Sequence, residues 1–300
     1  MRISVFDIGG TFIKHSIFNG FELSERKLIP TEAHRGSQDL MDRLARMIKA
    51  EEKAGQVDGV GISTRGQVDF LHGVIIFDPP TVFPDYSGTK LREQLRDRLQ
   101  SPDLPVIVEN DGNCAALAES IFGAAQNYDD SLCVVFGTSI GGAIVQGKQI
   151  YHGCRFSAGE FGMMCFPDGN GNTILYEEYA SVTALVNMVS AMDSSMTSGR
   201  RITEALAQGN AEVSHLVDIW CRRVSIGLAS LIHIFNPPCV VLGGGIMENN
   251  EIVCRIRNCT LSLLAPGFEH LELSPAVLGN QAGLLGAAYL TMQEISKTGN

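Results

Sequence analysis

The sequence predicts an α/β protein of two domains, and three observations carry that expectation. Apolar runs of strand length alternate with apolar residues at helical spacing along most of the 300 residues. A Gly/Thr-rich turn interrupts paired strand patterns twice, at 9–11 and again at 137–142, once in each half of the chain. A hydrophobic content of 45% against 19% charged residues supplies one large core or two ordinary ones, and the repeated turn favours two.

The first turn opens the chain. Ile3 and Val5 alternate with polar neighbours, the run stops at Asp7-Ile8-Gly9-Gly10-Thr11, and Phe12, Ile13 and Ile17 resume it, so two strands flank the turn. Paired glycines allow positive φ and close approach of backbone, which presents N–H groups to an anion. Asp7 at the strand end offers Mg²⁺ a carboxylate, directly or through water, and Lys14 adds a cation. The same Gly-Gly pair is also an ordinary hairpin turn that holds nothing.

Ser37 is expected to cap a helix carrying Leu40, Met41, Leu44, Met47 and Ile48, which ends by Gly55. Residues 57–62 read as a strand that runs into a polar turn over 63–69, the kind of strand end where open α/β sheets bind ligands. Residues 77–90, with Pro79, Pro80, Pro84 and Gly88, form a loop before a helix carrying Leu91, Leu95 and Leu99. Residues 106–108 make a strand, Glu109-Asn110-Asp111-Gly112-Asn113 breaks it, and an Ala-rich helix follows over 114–122. Asp111 therefore stands at a strand-to-helix junction, either as a helix cap or as a reacting carboxylate.

Residues 132–136 start another strand, and Gly137-Thr138-Ser139-Ile140-Gly141-Gly142 leads into the apolar run 143–145. The opening architecture is repeated, which suggests two related domains facing each other across a phosphate. Ala158-Gly159-Glu160 comes next, then a turn-rich stretch over 168–172, Glu177, and a helix opening at Tyr179-Ala180-Ser181. The longest helix, 211–235, has a broad apolar face and stops at Asn236-Pro237-Pro238. Residues 239–242 form a strand ending in Gly243-Gly244-Gly245, and 281–295 give a C-terminal helix.

A formal charge of −10 argues against nucleic-acid binding, which draws its affinity from Lys and Arg on phosphates. No run approaches the roughly 18 apolar residues of a membrane span. The N-terminus enters a strand without the pattern of a secretion signal, so action in the cytoplasm is expected. The eight cysteines contain no C-x-x-C pair and read mostly as small buried residues, and the seven histidines show no ligand spacing.

Taken in order, Asp7-Ile8-Gly9-Gly10-Thr11, Glu109-Asn110-Asp111-Gly112-Asn113, Gly137-Thr138-Ser139-Ile140-Gly141-Gly142, Ala158-Gly159-Glu160 and Leu242-Gly243-Gly244-Gly245 resemble the ROK family of sugar kinases and repressors over nearly the full chain. The resemblance implies the actin-like, hexokinase-type fold: two ribonuclease H-like α/β domains with an ATP/sugar cleft between them. The smaller is expected over 1–114 plus the C-terminal helix 281–300, and the larger over 115–280. It also implies roles. Asp111 matches the catalytic base. Asn110, Glu160 and Glu177 match sugar-hydroxyl contacts, with Gly66 in the sugar-side loop. The turns Gly9, Gly10, Thr11 and Gly137, Thr138, Ser139, Gly141 match phosphate clamps, with Lys14 nearby and Asp7 toward Mg²⁺. Gly243, Gly244 and Gly245 match the adenosine side. A homodimer is common in the family.

An Asp with an ordinary pKa of about 3.9 at a helix N-terminus is expected to be fully ionised. The chain departs from the family where many members hold a structural zinc. Met163 stands at the His position, and Asp168, Asn170 and Leu175 at cysteine positions, so no structural zinc is expected; Cys165 alone cannot rebuild the site. Arg65 replaces a usual proline, Thr81 and Val82 lack the expected asparagine, and Tyr86 replaces a loop tryptophan. The reading is an ATP-dependent kinase acting on a hexose, an N-acetylhexosamine such as N-acetylmannosamine, or a β-glucoside, with the 6-hydroxyl as the expected acceptor by family analogy. A sugar-sensing regulator of the same family and a non-catalytic sugar binder are the alternatives. The acidic chain without an N-terminal helix-turn-helix weighs against the first, and the presence of both Asp7 and Asp111 against the second.

Overall fold

The structure, a computed structural model, describes residues 1–268 and 270–298 and divides into two compact units. Unit 1 holds Met1–Ala118, His152–Ser157 and the chain from Leu278 on; unit 2 holds Glu119–Tyr151 and Ala158–Val277.

Unit 1 is built on β1 (Ile3–Ile8), β2 (Phe12–Phe18), β3 (Lys27–Pro30), α1 (Gly36–Glu52), β4 (Gly59–Thr64), β5 (Gln67–Asp69), β6 (Val74–Phe77), α2 (Leu91–Leu99), β7 (Val106–Asn110) and the start of α3 (Asp111–Phe122). Its main sheet runs β3-β2-β1-β4-β7, with β1 antiparallel to β2 and parallel to β4, and β4 parallel to β7. Every residue of β1 and β4 is buried, because both sheet faces are covered. Phe6 and Ile8 pack toward Leu40, Met41, Leu44 and Ile48 of α1. Ile3 and Val5, on the other face, meet Leu284 and Ala288 near the C-terminus.

Two local expectations change. Ser37 does not cap α1, which begins at Gly36; the Ser37 N–H instead donates to Asp85 Oδ1 at 2.8 Å, so the 77–90 loop delivers the carboxylate to the helix start. The polar stretch 63–69 is no simple turn. Its end pairs with β6 as a short antiparallel hairpin, irregular between Gln67 and Val68.

Unit 2 contains β8 (Ser131–Phe136), β9 (Ile140–Gln146), β10 (Gln149–Ile150), β11 (Cys165–Pro167), β12 (Thr173–Leu175), α4 (Tyr176–Ala180), α5 (Val182–Ser190), α6 (Gly199–Ala207), α7 (Ala211–Phe235), β13 (Cys239–Gly243), α8 (Asn250–Leu263) and β14 (Glu272–Pro275). Its sheet runs β10-β9-β8-β13-β14, with β8 antiparallel to β9 and parallel to β13, which is parallel to β14. This is the unit 1 order over again: a three-stranded meander followed by two parallel strands. The two Gly/Thr turns occupy the same place in each sheet, between the first two strands of the meander. Trp220, the only tryptophan, is fully buried in α7 at the centre of this core.

The chain returns to unit 1 as α9 (Ala282–Thr298), which lies directly on β4 because Gly59 and Gly61 carry no side chain. A Cβ on Gly61 would fall 2.7 Å from the Ala287 carbonyl oxygen. Among the described residues no helix is long and apolar enough to cross a membrane. Cys114, Cys133, Cys221 and Cys239 are buried as expected, whereas Cys154, Cys165 and Cys254 are exposed.

Candidate active site

The parallel strands β1, β4 and β7 end side by side. Register places Asp7 opposite Ser63, Ser63 opposite Glu109, and Thr64 opposite Asn110, so three consecutive strand ends bring Asp7, Arg65 and Asp111 to one edge of unit 1. Asp7 is held on both sides, by Lys14 Nζ on Oδ2 at 2.8 Å and by Ser63 Oγ on Oδ1 at 2.8 Å. Gly283 at the start of α9 leaves room for this arrangement, since a Cβ there would come within 3.0 Å of the Asp7 carboxyl carbon.

The Gly9-Gly10-Thr11 turn owes its glycines to crowding rather than to positive φ, which neither residue adopts. A Cβ on Gly10 would fall 2.9 Å from Val82 Cγ1 and 3.0 Å from Arg65 Nη1. Thr31 takes the turn's carbonyls: its N–H donates to Thr11 O at 2.9 Å and its hydroxyl to Gly9 O at 2.7 Å. The Gly9 N–H closes the turn onto Phe12 O. The amides of Gly10 and Thr11 bond no described backbone, and Thr11 is exposed, so a short anion cradle remains.

Asp111 is the first residue of α3, yet it is not the cap. Asn110 Oδ1 accepts from the Asn113 N–H at 3.1 Å, and Asn110 Nδ2 donates to Gly66 O at 3.0 Å, which ties the Gly66 turn to the helix start. Glu109, buried beneath, accepts from the Asn110 N–H and from Asn113 Nδ2, and its other oxygen pairs with His152 Nε2 at 2.6 Å. Asp111 Oδ1 accepts from the Gly112 N–H at 2.8 Å, and no other residue among those described bonds the carboxyl group.

The expected low pKa of Asp111 is corrected. Although its edge is open to solvent, the protein packed around the carboxyl, and next the Asp7 carboxylate, push it up to about 6, against the pull of the Gly112 N–H and of Arg65. Such a group is still about nine-tenths ionised at pH 7 and is a better proton acceptor than an ordinary aspartate. The kcat/KM profile is expected to fall tenfold per pH unit below about pH 6, with one ionisation, as Asp111 protonates. An inflection near pH 4 would return Asp111 to the ordinary carboxylate range.

In unit 2 the second turn repeats the first. Val182 N–H donates to Gly137 O at 3.0 Å and Thr183 Oγ1 to Thr138 O at 2.8 Å, so the start of α5 holds the carbonyls while Thr138 and Ser139 stay exposed. Gly141 faces open space, whereas Gly142 makes room for the Phe161 ring. A cavity of 710 Å³, a size suited to a nucleoside, is lined by Gly137, Thr138, Val182, Arg200, Gly245 and Asn249 among others. Ser139, Gly141, Gly243 and Gly244 do not line it. Gly244, at φ +104°, is held against the Phe136 carbonyl and shapes the turn that presents Gly245.

Glu160 and Glu177 come together in unit 2. Burial, and next the Glu177 carboxylate, raise the Glu160 pKa. Tyr176 anchors Glu177: its ring fills the space left by Gly227, and its hydroxyl donates to Val224 O at 2.6 Å. The stretch lacking zinc ligands is closed by hydrogen bonds. Strands β11 and β12 pair antiparallel, and Asp168 Oδ1 accepts from the N–H groups of Asn170 at 2.7 Å and Asn172 at 2.9 Å. Metal analysis is expected to find no stoichiometric zinc, with chelators leaving the melting temperature unchanged; one tightly bound zinc per chain would contradict this.

A family model described as the ROK family matches residues 3–294. The chain belongs to the ROK family. It is 32% identical over 308 residues to a beta-glucoside kinase of Listeria monocytogenes, with 98% of each chain covered. Its structure is similar to a ROK hexokinase from Thermus thermophilus, with a TM-score of 0.83 at 32% identity over 98% of this chain and 100% of that one. It is also similar to a ROK family glucokinase from Streptomyces griseus in complex with glucose and AMPPNP, with a TM-score of 0.79 at 28% identity over 98% of this chain and 100% of that one. The α/β, actin-like fold that the motifs imply therefore holds for this ROK chain.

Several residues at this ROK site were not singled out by sequence. Ser63, Asp78 and Gly283 carry no motif of their own: strand register sets Ser63 beside Asp7, the chain just after β6 brings Asp78 to Arg65, and the start of α9 brings Gly283 to Asp7. Tyr86 is fully buried, stacks on Phe83 at 4.4 Å, and shares a 2.6 Å hydrogen bond with Thr64 Oγ1.

Proposed function

We propose that this ATP-dependent sugar kinase transfers the γ-phosphoryl group of ATP to the 6-hydroxyl of a hexose, an N-acetylhexosamine or a β-glucoside, with Asp111 as the base. The observation that supports this reading is the freedom of Asp111. Asn110 does the capping, and an aspartate with an uncommitted oxygen and a raised pKa is left at the strand ends beside the anion cradle.

In the proposed reaction the bond from the γ-phosphorus to the bridging oxygen of ADP breaks, and its electron pair leaves with ADP. A bond from the sugar oxygen to phosphorus forms, and the hydroxyl proton passes to Asp111. Because such transfers pass through a loose transition state, positioning and charge stabilisation dominate, and the proton moves late. The amides of Gly10 and Thr11 would hold the phosphoryl oxygens. Glu160 and Glu177, acceptor-only carboxylates, would take sugar hydroxyl donors, with Asn110 fixing the Gly66 turn. The cavity lined by Gly137, Thr138 and Gly245 would take the nucleoside.

The donor set near the cradle suits Mg²⁺ arriving with the nucleotide: the Asp7 carboxylate and the exposed Thr11 hydroxyl. Both Asp7 oxygens are already engaged by Lys14 and Ser63, so Asp7 would hold the ion through water. When bound, the ion would neutralise charge on the β- and γ-phosphates. Action in the cytoplasm and a homodimer belong to the same proposal.

The test is ADP release, measured by a coupled assay against hexoses, N-acetylhexosamines and β-glucosides. One class is expected to be turned over well above the sugar-free rate. Silence across the panel would count against the kinase reading.

A further inference from the structure

Arg65 stands in unit 1 where the anion cradle, the free Asp111 carboxyl and a buried acid meet. It follows directly on β4, and its Nε donates to Asp78 Oδ1 at 2.6 Å. The Asp78 side chain is 0% exposed and that of Arg65 23%. An arginine paired with a carboxylate frequently engages it as a fork, with two parallel N–H groups on two oxygens. The contact here is single. Asp78 Oδ2 is buried without a hydrogen-bond partner among the described residues, and the two Nη groups of Arg65 bond no described residue.

The guanidinium is turned to the cradle instead. It fills the space that a side chain on Gly10 would take, with Nη1 3.0 Å from that Cβ position. Its charge also reaches Asp111, where it favours the ionised carboxylate. Tethering through Nε fixes the group before any ligand arrives, so its donors need no reorganisation when charge develops.

We propose that Arg65 is a catalytic residue whose Nη groups hold the phosphoryl group in transfer at the Gly10-Thr11 cradle. This rests on the kinase reading of the same site. Arginine suits the role because its planar donors match the equatorial oxygens that carry transition-state charge. Asp78 then acts as a positioning residue, through Arg65.

Replacing Arg65 alone would strand the buried Asp78 carboxylate, so the paired variant Arg65→Met with Asp78→Asn is measured, with Arg65→Lys beside it. Calorimetry with Mg²⁺ and either AMPPNP or ADP needs no knowledge of the sugar. The paired variant is expected to bind AMPPNP at least about tenfold more weakly than wild type while binding ADP equally well, and kcat on the sugar found by the panel should fall by about 10³-fold with the sugar KM unchanged. Arg65→Lys, which keeps the charge without the fork, should fall between the two. The proposal is overturned if the variant keeps the wild-type ratio of AMPPNP to ADP affinity, if both affinities fall together, or if only the sugar KM rises. If wild type binds neither nucleotide, the kinase reading itself has failed and takes this proposal with it.

Discussion

Asp111→Asn is expected to lower kcat by about 10²–10⁴-fold while leaving the fold and nucleotide affinity intact. The change removes the proton acceptor and little else. Helix capping by Asn110 and the buried Glu109 network beneath it persist, and the amide oxygen can still accept from the Gly112 N–H. A role as mere helix cap predicts the opposite pattern: lost stability with turnover untouched. Steady-state kinetics paired with thermal unfolding separates the two, and the inflection near pH 6 should vanish with the carboxylate.

Trp220→Ala is expected to cost about 3–5 kcal/mol of stability, which is a large part of what a domain has. Trp220 is 0% exposed, meets Phe136 edge-on at 6.5 Å, and its Nε1 donates to the carbonyls of Ala180 and Ser181, both at 3.0 Å. Those carbonyls lie at the junction of α4, which carries Glu177, and α5, whose start holds the Gly137 and Thr138 carbonyls. Removing the indole leaves a cavity and takes its donor from the Ala180 carbonyl, while the Ser181 carbonyl keeps the Leu185 N–H at 3.1 Å. Urea unfolding followed by far-ultraviolet circular dichroism should show a lowered midpoint. A loss below about 1 kcal/mol would mean that the core around α7 refills the space.

Much of this architecture could be read from local pattern. The Asp7 to Thr11 and Gly137 to Gly142 turns mark the two meanders because strand-turn-strand periodicity is local, and the 211–235 helix matches α7. Other features needed distant partners. Asp85 caps α1 from 48 residues away, which no spacing rule detects. Strand register across β1, β4 and β7 sets Ser63 beside Asp7. The elevated pKa of Asp111 likewise comes from packed neighbours and Asp7, so a helix-terminus argument alone gave the wrong direction. At Gly9 and Gly10 the residue type was informative but the cause was not: close packing, rather than positive φ, requires glycine there.

The most direct measurement is ³¹P nuclear magnetic resonance of wild-type protein with Mg²⁺, ATP and the sugar that the panel selects. The account predicts a sugar phosphate monoester that grows in step with ADP and is nearly absent with Asp111→Asn. Inorganic phosphate released without a sugar ester, or equal ester formation by the variant, would contradict it.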